Sequence, residues 1–169
     1  MNLTTLALLV LTPFLVWRVY SRVKAQMQRQ RSILTRHYTA LLVFVAMILV
    51  PASELITNLP ALGWLAVGTG AGIGYGVYGL RITRFEDTPE GYYFTPNARL
   101  GIAIAMLFVA RVLYVGFEIF ANQGSNAPTP KFTDSPLTLL AVGLLAGYFG
   151  TYSAGLLRWR IALKKAAGQ

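Results

Sequence analysis

Two charged residues stand seven positions apart inside one long apolar run: Arg111 and Glu118, within residues 97–121. A charge near the centre of a bilayer costs between ~3 and ~15 kcal/mol, depending on how far lipid and side chain adapt. A chain that keeps such a charge has an internal partner for it, or a use for it. As a helix, the run places Arg111 about 20 Å from Asn97 and about 15 Å from Ala121, at ~1.5 Å per residue. From there its side chain falls short of either headgroup layer. Tyr114 and Glu118 follow at i+3 and i+7 on the same helix face. Glu54, at the end of another apolar run, is the other acidic residue in or beside such a run. Two kinds of chemistry fit the set. Arg111, Glu118, Glu54 and Tyr114 line a site for a substrate, ion or proton, or Arg111 forms a buried ion pair with Glu54 or Glu118 that fixes helix register.

Other chemistries lack their residues. The chain has no cysteine, which excludes disulfides, thiol exchange, thiolate metal sites and covalent haem attachment. Its one histidine, His37, falls in a basic loop and has no companion ligands for a metal or haem. Ser53, Ser135 and Ser153 have no visible base. Glu86, Asp87 and Glu90 sit beside Arg81 and Arg84, where pairing or solvation accounts for them. No catalytic set, metal or cofactor is expected.

The elements that must hold these residues are membrane spans. Of 169 residues 55% are hydrophobic and only 12% charged, with a mean hydropathy of +0.53. A soluble domain carries about a quarter charged residues. Five apolar runs, at about 3–19, 39–57, 61–80, 97–121 and 137–157, are long enough to cross a bilayer as helices. They make one integral membrane domain over 1–169, an all-α bundle of five transmembrane helices. Pro51 should kink or end the second. The net charge of +9 comes from 15 Lys and Arg against 6 Asp and Glu. These basic residues cluster between apolar runs, so they set orientation and do not mark nucleic-acid binding. Of the loops placed outside, only the last carries a basic residue, Lys131. The pattern predicts a multi-pass protein of a bacterial inner membrane, N-terminus outside and C-terminus cytoplasmic. The segment 22–36, from Arg22 to Arg36, is a connector expected along anionic inner-leaflet lipid.

Between the third and fourth spans, Arg84-Phe85-Glu86 and Tyr92-Tyr93-Phe94 flank a turn with Pro89 and Gly91. This predicts a short cytoplasmic β-hairpin. Thr95 before Pro96, or Asn97, caps the next helix. The third span holds seven glycines, with Gly68, Gly72, Gly76 and Gly79 spaced along one face. Gly143 and Gly147 give the fifth span a similar face. Small residues let helices approach closely in lipid, so these faces predict helix packing. The segment Gly70-Ala71-Gly72-Ile73-Gly74-Tyr75-Gly76 only superficially resembles a dinucleotide-binding loop, since no strand precedes it.

The order of Arg84-Phe85-Glu86, Gly91, Tyr93, an apolar helix bearing Arg111, and a late Arg158-Trp159-Arg160 resembles the CcdC-like family of small bacterial integral membrane proteins. The likeness covers mainly the second half of the chain. It implies a membrane fold and points to Arg84, Glu86, Tyr93 and Arg111. The family's association with cytochrome c biogenesis gives no thiol role to a chain without cysteine.

The expectation for function is a non-enzymatic accessory or assembly protein. It would act as a homodimer or with another membrane protein, through the glycine faces. The alternative is a small transporter or permeation subunit that uses Arg111 with Glu118 or Glu54.

Overall fold

The computed structural model describes residues 3–26, 30–89, 91–122 and 134–167. The elements in order are α1 (Leu3–Gln26), β1 (Gln30–Arg31), α2 (Leu34–Glu54), α3 (Leu59–Arg81), β2 (Arg84–Thr88), β3 (Gly91–Thr95), α4 (Ala98–Ala121) and α5 (Pro136–Ala167). Among the described residues three helical stretches are long and apolar enough to cross a membrane: Leu34–Glu54, Arg99–Ala121 and Pro136–Ala166. They mark a membrane protein. α3 is as long, but its seven glycines are nearly neutral in hydropathy and dilute its leucines and valines.

Local chemistry sets the helix ends. Asn58 caps α3, its side chain accepting from the Ala61 amide at 3.4 Å, and a proline sits in the first turn. Asn97 caps α4 by accepting from the amides of Arg99 and Leu100 at 3.1 and 3.4 Å. Pro51 lies in the last turn of α2, which stops at Glu54. Two helices outrun their apolar cores. α1 continues to Gln26, and α5 continues past its last leucine for a total of 32 residues, or about 48 Å. Their basic tails are good helix formers and need no lipid to stay helical.

α5 is the buried centre, with α3, α2 and α4 packed around it. α3 and α5 meet through glycines. Gly68, Gly72, Gly76 and Gly79 are buried, and a methyl group at Gly72 would come within 2.5 Å of the Leu144 carbonyl oxygen. Gly143 and Gly147 return the contact, since a methyl at either would meet Thr69 backbone at 2.7 and 2.5 Å. Leu55, Leu65, Leu139 and Val142 fill one end of the core. Ile104, Ala105, Leu145 and Tyr148 fill the middle, and Phe94, Tyr152 and Leu156 the other end.

The hairpin expected between α3 and α4 is part of a three-stranded antiparallel sheet, in the order β1-β3-β2. The register pairs Phe85 with Phe94 and Glu86 with Tyr93 on one side of β3, and Arg31 with Tyr93 on the other. The added strand comes from the basic connector, which had been expected along the lipid surface. Two residues are too few for a periodic pattern to show in a sequence. Facing side chains share a side of the sheet, so Phe85, Tyr92 and Phe94 form one face. That face packs on α5, with Phe85 and Tyr92 against Trp159 at ring separations of 4.8 and 6.1 Å.

Candidate functional site

α2 and α4 both lie on α5 but hardly touch one another. The gap between them is a half-enclosed cleft of about 310 Å³. Ala40 and Phe44 of α2 form one wall and Ala105 of α4 the other. Tyr148, Phe149 and Tyr152 of α5 form the floor, and Phe94 with Pro96 closes the sheet end. Their spacing explains why they converge: Tyr148 and Tyr152 are four apart on one face of α5, as Ala40 and Phe44 are on α2. Phe44 stacks on Phe149 at 5.4 Å.

The sheet end of the cleft is polar. His37 is buried, and its Nε2 shares a 2.8 Å hydrogen bond with the Ser32 hydroxyl. Its ring meets Phe94 edge-on at 5.7 Å. This corrects the placement of His37 in a loop: it lies in the first turn of α2, against β3. The Tyr152 hydroxyl bonds to that of Thr83 at 2.8 Å, and Thr83 in turn donates to the Gly79 carbonyl at 2.7 Å. Arg36 and Gln30 stand at the mouth. Arg160 lies over the Tyr92 ring at 3.9 Å, and its buried Nε has no hydrogen-bond partner among the described residues.

Arg111 lies at the opposite end. Its Nε donates to the Thr138 hydroxyl at 3.0 Å and its Nη2 to the Ser135 hydroxyl at 2.5 Å. Its guanidinium rests 5.0 Å over the Tyr114 ring. Among the described residues, neither Glu54 nor Glu118 forms an ion pair with it. The sequence pointed to those carboxylates because Arg111 is midway along its own helix. Packing sets different partners. Ile104 and Ala105 meet Leu145 and Tyr148, so the antiparallel register brings Arg111 level with the first turn of α5. α4 then runs on for ten residues, about 15 Å, with Tyr114 and Phe117 exposed. Glu54 is exposed at the end of α2, and Glu118 is half-buried on the far part of α4.

The hairpin residues Arg84, Glu86 and Tyr93 lie on the sheet face turned away from α5. Glu86, Tyr93 and Arg31 stand side by side across the three strands, so this motif does not line the cleft. Gly68, Gly72, Gly76, Gly143 and Gly147 are filled by the facing helix of the same chain. That face is occupied within the chain. Arg22 is exposed on α1, apart from the cleft, and Glu90 and the link 123–133, with Lys131, lie outside the described residues. Among the described residues, no three His, Asp or Glu side chains gather as a metal site would need.

Sequence alone did not join Arg36, His37, Tyr148, Tyr152 and Ser153. The one available signal was the tyrosine pair at i, i+4 within an apolar helix. The partners come from α2 and β3, more than fifty residues earlier in the chain. A family model described as CcdC protein (DUF1453) matches residues 1–165. No curated protein and no solved structure matches the chain.

Proposed function

The chain belongs to the CcdC protein family, and from that premise we propose that it is a non-enzymatic accessory protein of the bacterial inner membrane that binds an amphiphile. The observation that carries this is the cleft between α2 and α4. Its walls are apolar and aromatic, and its polar groups gather at one end. That is the arrangement of a pocket that orients a ligand by one end. The reactive groups are committed to structure: His37 to Ser32, and Tyr152 to Thr83. Arg111 serves as a brace between α4 and the start of α5.

All five helices cross the membrane in this reading, with the N-terminus outside and the sheet inside. It is supported by the basic residues Arg31, Arg36, Arg84, Arg158, Arg160 and Lys164, which gather at the sheet end. The absence of cysteine makes the topology simple to test. Single cysteines at Asn122 and Ala166 are offered to an impermeant maleimide on intact cells. Labelling of the Asn122 site alone is expected, and labelling of Ala166 instead would refute the orientation. Binding is tested by native mass spectrometry after mild detergent extraction. The protein should retain an amphiphile, and Ala40→Phe, which fills the cleft, should release it. Equal retention by both proteins would place any bound molecule elsewhere.

A further inference from the structure

We infer that the cleft takes an amphiphile with an anionic headgroup from the inner leaflet, one apolar chain of it between α2 and α4 and its headgroup at Arg36. The inference rests on amphiphile binding in the cleft and adds the sign of the headgroup.

Three observations carry it. First, the polarity of the cleft is graded along its length. Ala40, Phe44 and Phe149 form the apolar part, and Gln30, Arg36 and His37 stand together at the sheet end. A ligand that follows this grade is apolar along its length and polar at one tip. Second, the fixed charge at that tip has one sign. Arg36 lines the mouth. Among the described residues no carboxylate lines the cleft, which leaves the Arg36 guanidinium as the fixed charge there. Third, the opening is lateral. Because α2 and α4 part above α5, a chain enters sideways from lipid, without crossing the polar cap. At about 310 Å³ the space lies at the lower end of ligand pockets, which favours one chain over a whole two-chain lipid body. A free anion would find Arg36 but leave the aromatic part of the cleft unfilled.

The test uses the full-length protein in nanodiscs with equal amounts of phosphatidylglycerol and phosphatidylcholine, read by native mass spectrometry of the released protein. The wild type should keep phosphatidylglycerol in preference to phosphatidylcholine. Arg36→Gln should weaken that retention by about fivefold or more, since one basic side chain near a lipid surface contributes about that factor. Arg36→Lys keeps the charge and should keep most of the preference. Arg158→Gln removes an exposed charge at the same end that does not line the cleft, and should change the preference little. If Arg158→Gln and Arg36→Gln act equally, the preference belongs to the surface and the inference fails. If both lipids are kept equally and Arg36→Gln changes nothing, while Ala40→Phe still releases them, the headgroup is not anionic but amphiphile binding stands. If Ala40→Phe changes nothing, both fail together.

Discussion

Replacing Gly72 with alanine should separate two helices that a neighbouring replacement leaves untouched. A Cβ at Gly72 would lie 2.5 Å from the Leu144 carbonyl oxygen, 2.8 Å from the Tyr148 amide nitrogen and 3.0 Å from the Gly147 Cα. Ordinary contact begins near 3.4 Å, so the shortfall is about 0.9 Å. All three obstructing atoms are α5 backbone, and no rotamer change relieves them. The helices must part by roughly 1 Å at that level. Such a gap forfeits a quarter to a half of the dispersion energy of the contacts it opens, and overpacking of this kind costs about 1–3 kcal/mol. Alanine returns up to about 1 kcal/mol in helix propensity. The net expectation for Gly72→Ala is a loss of about 1–2 kcal/mol. At Gly74, two residues on, a Cβ meets nothing within 4 Å. Gly74→Ala keeps only the propensity gain and should be neutral or stabilising by up to about 1 kcal/mol. Gly147→Ala meets the Thr69 carbonyl oxygen at 2.5 Å and forces the same separation, so the double variant with Gly72→Ala should cost less than the sum. The assay is reversible unfolding in mixed micelles by sodium dodecyl sulfate titration, followed by tryptophan fluorescence. Equal stability of Gly72→Ala and Gly74→Ala, within about 0.5 kcal/mol, would refute close packing of α3 on α5 within one chain.

Arg111→Gln removes two charge-assisted hydrogen bonds to Ser135 and Thr138 and should cost about 1–3 kcal/mol in the same titration. Adding Glu118→Gln or Glu54→Gln should not restore stability, and rescue by either would return Arg111 to an ion pair. Gly91 holds φ at +138°, a region almost closed to other residues. Gly91→Ala should therefore lose about 1–3 kcal/mol, visible first in the fluorescence of Trp159, and unchanged stability would sink the turn assignment.

Composition and periodicity fixed the helices of this protein because each depends on its own segment. A long apolar run must be helical in lipid, where no other partner exists for its backbone. Asn58 and Asn97 are caps within one turn of what they cap. The spaced glycines showed which faces of the third and fifth helices accept close approach, since that is a property of one helix surface.

What those faces meet is a property of two segments. Gly72 and Gly147 are 75 positions apart, and nothing local distinguishes packing within a chain from packing between chains. The partners of Arg111 depend on two segments for the same reason. Position along its own helix pointed to Glu118 and Glu54, whereas the register of α4 on α5 sets it level with Ser135 and Thr138. The cleft is further still from the sequence. It exists because α2 and α4 both settle on α5 and leave a gap, and a gap has no residues of its own. His37 became part of it only when β3 placed Phe94 against its ring. Sequence determined the helices, their caps and the uneven charge of the two ends, each a local quantity. Tertiary structure decided which small faces are filled, which groups the arginine meets, and where space remains for a ligand, because each depends on how separate helices share one centre.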